Sequence, residues 1–485
     1  MREVGLLIGP PGTGKTTELV RQVEVAIQEG IDPSRIAYCS FTKKAAQEAV
    51  QRTATKLDLT SAAFPLFRTL HSLAFRQLGL TRDQVMKTEN FKELGEALGL
   101  IFKHSYDGIE RVPLGGSLGD KCLRVYSMAR AKQQDLYDAW IECDEDDLPY
   151  YTVRDFVNAL DSYKRSGYLD FTDFLDECTV ELDVDLFILD EAQDLTKQQW
   201  QFARRASRNA KKVLIAGDDD QAIFQWAGAD LRTLLSIKGE RKVLPQSYRL
   251  PQAVFDLAQG ISQGISHRYP KLWKPRGEAG EVHWMTNMEQ VNLSEGSWLM
   301  LGRHTYLLQS MEEICRQQGV VYHTEGQWSN NAPYVKAIVA YEKLRAGEAI
   351  NRRDAILICS FIVDMPKPEK EQHYKYEDFR FPFSGKPDWM DALTRLSPYD
   401  REYVRSLRRN HESLTKPGRV TISTIHGSKG GEADNVLLLT DMSTRSWKMM
   451  EGNRDEEARV WYVGVSRAKV NLFLVVARTA KTFLR

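Results

Sequence analysis

Residues 9–16 read Gly9-Pro10-Pro11-Gly12-Thr13-Gly14-Lys15-Thr16. An apolar run, 4–8, precedes them and a helix-compatible stretch beginning Thr16-Thr17-Glu18 follows. Glycines at these positions let backbone N–H groups converge on phosphate oxygens with no Cβ in the way. A helix N-terminus behind them adds partial positive charge. Lys15 suits the β- and γ-phosphates of a nucleotide and the Thr16 hydroxyl suits Mg²⁺, which is the P-loop spacing. Gly12, Thr13, Gly14, Lys15, Thr16 and Thr17 are therefore the candidate phosphate-binding residues. Such a loop needs a carboxylate for its metal. Residues 186–194, LFILDEAQD, supply one at the end of an apolar strand. Successive residues at a strand end point different ways. Asp190 is read as the metal residue and Glu191 as the general base that orients or deprotonates an attacking water. The chemistry within reach is phosphoryl transfer to water.

These groups have to be held by strands and helices. The chain alternates short apolar runs with helix-like stretches, which reads as α/β with parallel sheets. Buried-strand candidates are 4–8, 36–41, 185–189 and 213–216 in the first half. In the second half they are 298–302, 420–425, 435–439 and 470–476. Each half has enough strands for its own sheet, so two lobes are expected. Residues 81–168 read as helical and polar, with an acidic run at 142–147 that reads as a solvated face. Residues 330–416 are mixed, with a helix over 334–346 and a Pro- and Lys-rich stretch near 364–375. Both regions read as insertions.

The whole chain sets bounds on the rest. Its 485 residues suggest two to four domains at roughly 150 residues each. Hydrophobic residues at 42% and charged residues at 27% support folded cores. Lys+Arg and Asp+Glu both number 66, which excludes a binder of polyanions through bulk charge, so any such contact is a local patch. Two basic clusters, 268–276 and 401–419, read either as phosphate contacts or as solvated faces. Six scattered cysteines without a CxxC pair argue against disulfides and structural zinc and for a reducing compartment. No apolar run approaches the ~18–20 residues of a membrane span. The opening residues are too short an apolar run for a signal peptide. A cytoplasmic protein with no membrane partner is expected.

Further segments extend the pattern. SFTKKAAQEA (40–49), RTLHSLA (68–74), LDFTDFL (169–175), AGDDDQAIFQWAGAD (216–230), LPQSYRLP (244–251), STIHGSKGGEADNV (423–436) and EEARVWYVGVSRAK (456–469) follow one another in order. Together with the P-loop and DEAQD they resemble the UvrD/Rep/PcrA-like superfamily 1 DNA helicases across nearly the whole chain. The resemblance implies two RecA-like P-loop lobes with parallel sheets, each interrupted by an inserted accessory subdomain. The first lobe would be 1–80 and 169–250, with 81–168 its helical insertion. The second would be 251–329 and 417–485, with 330–416 a reduced accessory insertion.

The resemblance also implies roles. Gln221 would sense the γ-phosphate. Arg249 and Arg467 would reach it from the second lobe as internal arginine fingers. Tyr248 would stack on the base and Glu432 would hold the ribose. Phe41, Thr42, His71, Phe224, Trp226 and His426 would line a groove for the DNA strand. ATP and Mg²⁺ are the implied substrate and cofactor, and single-stranded DNA and duplex junctions the implied partners. The implied activity is that of a single-stranded DNA translocase and helicase, 3′→5′ by resemblance alone. A DNA-stimulated ATPase that strips proteins, or serves a nuclease or replication partner without unwinding efficiently alone, is the alternative. An RNA substrate stays open. A GTPase is disfavoured because no N/T-K-x-D segment follows a strand, and a non-catalytic module because every phosphate-handling residue is present.

This chain departs from the family pattern in places. The adenine-reading glutamine usual ahead of the P-loop has no counterpart before Gly9, leaving base recognition to Tyr248. Ala227 stands where an arginine is usual, Ser247 where an asparagine is, and Gly431 and Ala433 flank Glu432 in place of bulky residues. The compact length would suit a virus-encoded or defence-associated enzyme working in a host cytoplasm.

Overall fold

The computed structural model describes residues 3–104, 116–145, 147–324 and 326–484. Asp146 of the acidic run and Glu325 lie outside the described residues. The chain forms two compact units, Met1–Arg249 with Ser262–Arg276, and Leu250–Ile261 with Gly277–Arg485. It therefore passes from one unit to the other three times.

The first unit is built on β1 (Glu3–Ile8), β2 (Ile36–Cys39), β3 (Phe67–Arg68), β4 (Leu186–Leu189), β5 (Lys212–Gly217) and β6 (Glu240–Val243). They form one sheet in the order β3-β2-β4-β5-β1-β6. Every pairing in it is parallel. Parallel strands covered on both faces need unbroken apolar runs. β2 and β4 are buried along their whole length, which is why both stood out as runs rather than alternations. The helix Lys15–Gln28 buries Leu19, Val20, Val23 and Ala26, a single stripe at helical spacing.

Between β3 and β4 the chain makes the helices Thr88–Leu98, Leu118–Lys132, Leu136–Cys143 and Tyr150–Lys164. They close a core of their own around Phe91, Phe102, Val125, Val153 and Phe156. One ion cluster ties this region to the segment ahead of β4. Lys164 Nζ lies 2.5 Å from Asp170 and 2.8 Å from Asp173. The Tyr126 hydroxyl donates to Asp170 at 2.9 Å. Burial pulls the Lys164 ammonium down, but the two aspartates and Tyr126 hold it above its usual value.

The second unit carries β7 (Glu281–Met285), β8 (Trp298–Gly302), β9 (Tyr322–Thr324), β10 (Gln327–Trp328), β11 (Val420–Thr424), β12 (Ala433–Leu439) and β13 (Ala468–Val475). The order is β10-β9-β11-β8-β12-β13-β7. All pairs are parallel except β9 with β10. Between β10 and β11 lie the helices Pro333–Arg345, Arg352–Ser360, Trp389–Ala392 and Pro398–Arg409. Val335, Ile338, Tyr341, Ile358, Trp389 and Val404 form a separate core there. The expected architecture, two α/β lobes with parallel sheets, is the one observed. Among the described residues no helix is long and apolar enough to cross a membrane.

Candidate active site

β1 ends at Ile8 and the chain turns into the helix Lys15–Gln28 through the glycine-rich loop. Gly12 and Gly14 sit at φ +70° and +79°, backbone positions that cost side-chain-bearing residues roughly 1–2 kcal/mol. A Cβ on Gly9 would lie 1.9 Å from the Lys15 Cγ, and one on Gly12 would lie 2.2 Å from the Arg249 Cβ. The cradle is therefore bare by necessity. Gly14 caps the helix without a side-chain hydrogen bond, and Thr16 and Thr17 stand in its first turn.

β4 delivers the two carboxylates beside this loop. Glu191 takes up the left-handed conformation at φ +54°, a strain of about 1–3 kcal/mol that proteins keep mainly at functional positions. It points a carboxylate oxygen 3.2 Å from Lys15 Nζ. Asp190 is buried, and the Tyr38 hydroxyl donates to it at 2.7 Å. Burial, and then the charge of Glu191, push its carboxyl up to about 6 against the opposing pull of Lys15 and Tyr38. Burial also pulls the Lys15 ammonium down, but Glu191, Asp218 and Asp190 together hold it above its usual value. Among the described residues no cluster of three or more His, Cys, Asp or Glu side chains could hold a metal ion. A Mg²⁺ ion bound with a nucleotide takes oxygen ligands from carboxylate, hydroxyl, water and phosphate. One buried carboxylate, Asp190, and one helix-start hydroxyl, Thr16, fit that requirement.

Sequence reasoning missed what lies behind these groups. Gln193 donates to Glu191 at 2.5 Å, and its carbonyl oxygen accepts the Asp218 N–H at 3.0 Å. Asp218 in turn accepts from the Gln221 side chain at 2.6 Å. Glu191 and Gln221 are thus joined through two intermediate residues. The three consecutive aspartates Asp218, Asp219 and Asp220 are all buried. Lys271 meets them at 2.8, 2.7 and 2.7 Å, and Arg268 reaches Asp220 at 2.5 Å. This corrects one reading of the 268–276 cluster. Its central lysine is neither solvated nor available to phosphate, because three carboxylates have claimed it. The 401–419 cluster is partly spent as well, since Arg401 donates to the carbonyls of Leu393, Thr394 and Leu396.

The segment after β6 closes over the loop. The Ser247 hydroxyl donates to the Pro11 carbonyl at 2.8 Å, and the Tyr248 N–H donates to the Gly12 carbonyl at 2.8 Å. Ser247 thus makes a direct loop contact in the place usually held by asparagine. Tyr248 leaves its ring 73% exposed. Arg249 lies in the first unit. The backbone bond from Tyr248 to Gly12 holds its neighbour beside the loop.

The groove candidates separate into two groups. Phe41 and Trp226 are part-exposed, as is His426 in the second unit, and Thr42 is exposed. Thr42 also caps the helix Lys43–Leu57 by accepting the Ala45 N–H. Phe224 is buried and stacks on Phe41 with ring centres 5.8 Å apart. His71 is 7% exposed and stacks on Phe171 at 4.2 Å. It shares the buried face of the helix Leu70–Gln77 with Leu70, Leu73 and Ala74. Burial pulls its imidazole down to about 3, so it is neutral in the folded chain at ordinary pH.

Arg467 and Glu432 lie in the second unit. Arg467 is buried, donating to the Val463 carbonyl at 2.9 Å and the Gly431 carbonyl at 3.3 Å. Glu432 is exposed, 3.9 Å from Lys469. A further group went unread in the sequence. Glu457 accepts from Arg303 at 2.9 and 3.0 Å and from the Trp461 indole at 2.8 Å. It fixes the helix Arg454–Val465 that leads into Arg467.

Comparison with known proteins follows the same lines. The model of the UvrD/REP helicase N-terminal domain matches residues 2–242, and that of the UvrD-like helicase C-terminal domain matches residues 153–479. The chain belongs to the UvrD-like helicase family. The ATP-dependent DNA helicase PcrA of Leuconostoc citreum is 24% identical, over 75% of this chain and 51% of that protein. The probable DNA helicase II homolog of Rickettsia conorii is 24% identical over 99% of this chain and 91% of that protein. The PcrA of Staphylococcus aureus is 22% identical over 84% of this chain and 62% of that protein. The chain thus spans about half the length of the Leuconostoc relative and nearly all of the Rickettsia one.

Proposed function

We propose that this chain is an ATP-dependent translocase on single-stranded DNA with DNA helicase activity, moving 3′→5′. The observation that carries the chemistry is the joining of Lys15, Glu191 and Gln221 beside a bare glycine loop, with Asp190 accepting the Glu191 N–H. The family and the names of its relatives carry the substrate.

In this reading Gly12, Thr13, Gly14, Lys15, Thr16 and Thr17 bind the phosphates of ATP, with Tyr248 on the base and Glu432 on the ribose. Thr16 and Asp190 would hold Mg²⁺, which when bound supplies positive charge to the phosphate oxygens. Glu191 orients and deprotonates the attacking water. Gln221 reads the γ-phosphate, and Arg249 and Arg467 stabilise the charge that develops on it. Phe41, Thr42, His71, Phe224, Trp226 and His426 line the groove for the strand, with Phe224 stacked on Phe41. The regions 81–168 and 330–416 act as accessory insertions of the two lobes. The cytoplasm is the proposed compartment, with junctions of duplex and single-stranded DNA and a protein partner as the proposed company.

The test is ATP hydrolysis with Mg²⁺, with and without a single-stranded DNA oligomer, with RNA and GTP in parallel. Stimulation by DNA with ATP is expected. A rate indifferent to nucleic acid would sink the motor reading. Strand displacement on a tailed duplex then separates a helicase from an ATPase that only strips bound proteins.

A further inference from the structure

We propose that Lys271 and Arg268 are positioning residues. They make the strap Ser262–Arg276 the element that transmits movement of the second unit to Gln221 and Glu191. The inference rests on the motor reading above and adds to it the part that couples movement to chemistry.

Three observations converge on it. The first is the ion cluster. The Lys271 side chain is fully buried among Asp218, Asp219 and Asp220. Arg268 grips Asp220 through Nε at 2.9 Å and a terminal nitrogen at 2.5 Å. The Tyr269 N–H donates to Asp219 at 2.7 Å. Burying four charged groups, with a fifth at the edge, is a poor way to gain stability, because apolar side chains of like volume often do as well or better. What such a cluster supplies is one fixed register between two segments.

The second is what that register controls. Asp218 is shared between Lys271, the Gln221 side chain and, through its N–H, Gln193. Gln193 holds Glu191. A shift of Lys271 therefore reaches the γ-phosphate reader through two hydrogen bonds and the general base through three. The strap is also tied to the loop-closing segment. Ser247 N–H donates to the Lys274 carbonyl at 2.9 Å, Lys274 N–H to the Pro245 carbonyl at 2.8 Å, and Gln246 to the Pro275 carbonyl at 2.6 Å.

The third is connectivity. The strap belongs to the first unit, yet its two ends continue into Leu250–Ile261 and the segment from Gly277, both of the second unit. Any rotation of the second unit is delivered covalently to both ends of the segment that holds the aspartate loop. Couplings of this kind need a rigid element with a defined pair of arrangements, and a buried ion cluster at fixed register provides the rigidity.

The test uses the full-length chain. Arg268→Gln removes the bidentate grip at the partly open edge of the cluster. It is expected to lower the DNA-stimulated kcat by on the order of 10–100-fold, with the KM for ATP within about threefold of the parent. Arg268→Lys is expected to recover part of the loss. Lys271→Met should lower kcat further, and Lys271→Met with Asp219→Asn, which restores the charge balance, should regain folding without regaining kcat. If Lys271→Met does not fold, Arg268→Gln decides alone. A parent-like stimulated kcat in folded Arg268→Gln overturns the proposal, as does a kcat that recovers fully in the charge-balanced double variant. Parent enzyme unresponsive to DNA would instead overturn the motor reading, and the same kcat–KM split on the basal rate then decides the strap.

Discussion

At the scale of single residues, the site is organised by which charges face one another. Lys15 is balanced by Glu191 at 3.2 Å, so the two side chains hold each other in place. Lys15→Ala is expected to lower ATP turnover by on the order of 10²–10³-fold in a chain that still folds; ordinary steady-state turnover would remove Lys15 from the site. Glu191→Gln keeps the size and the Gln193 contact while losing the base. Nucleotide binding by equilibrium titration should persist, with single-turnover hydrolysis slowed on the order of 10²–10⁴-fold; loss of binding would make Glu191 a structural residue. His71 offers a different readout. Its imidazole is held near 3 by burial, against an unfolded value of about 6.5. A depressed folded value means that its contribution is fully present above the unfolded value and is lost as pH falls. Between pH 7 and pH 5 denaturant unfolding should show about 2 kcal/mol more loss in the parent chain than in His71→Gln. Equal losses would place a charged, solvated imidazole at that position.

At the scale of elements, strands that end at the site were legible and strands at the sheet edges were not. β1, β2, β4 and β5 form the middle of the first sheet, and burial on both faces writes them as apolar runs. β6, reading ERKV, sits at an edge with its residues exposed or half-buried in alternation, and nothing in its composition announces a strand. β3 is two residues long and β7 is another edge, for the same physical reason. The loop after β5 shows how an element positions an aromatic. Trp226 lies in the short helical turn Gln225–Ala227. Gly228 follows at φ +93°, where a Cβ would come 2.9 Å from that of Ala131 on the inserted helices. The turn is held from behind while the indole stays part-exposed. Trp226→Ala should weaken binding of a single-stranded oligomer by ~1–3 kcal/mol in a fluorescence titration, with ATP hydrolysis in the absence of DNA largely retained. A collapse of thermal stability in its place would make the indole a core residue.

At the scale of the whole chain, each unit has its own sheet and its own apolar clusters. Trp200 is buried in a cluster of the first unit and Trp389 in one of the second. Truncating either to alanine should cost about 3–5 kcal/mol. In calorimetry of the full chain, Trp200→Ala is expected to lower one transition and Trp389→Ala another; a common shift of every transition would mean that the two units unfold as one block.

The sequence by itself determined what a few neighbouring residues can encode. The glycine spacing of the P-loop, the carboxylates at the end of an apolar strand and the aromatic after Gln221 are local patterns, and the ordered series of motifs placed the chain in its family. Local reading could not say which of the groove candidates would be buried. His71 and Phe224 carry the same kind of signal as Phe41 and Trp226, and only packing against Phe171 and Phe41 separates them. Nor could it show that Ser247 and Tyr248 fasten onto Pro11 and Gly12, since those bonds span most of the first unit's sequence. The pairing of Asp218–Asp220 with Arg268 and Lys271 belongs wholly to the tertiary structure. In the sequence the aspartates stand inside one of the family motifs, and the basic residues form a cluster with the look of a solvated face or a phosphate contact. Only the return of the chain from the second unit brings them together, and burial then turns surface charges into a fixed joint.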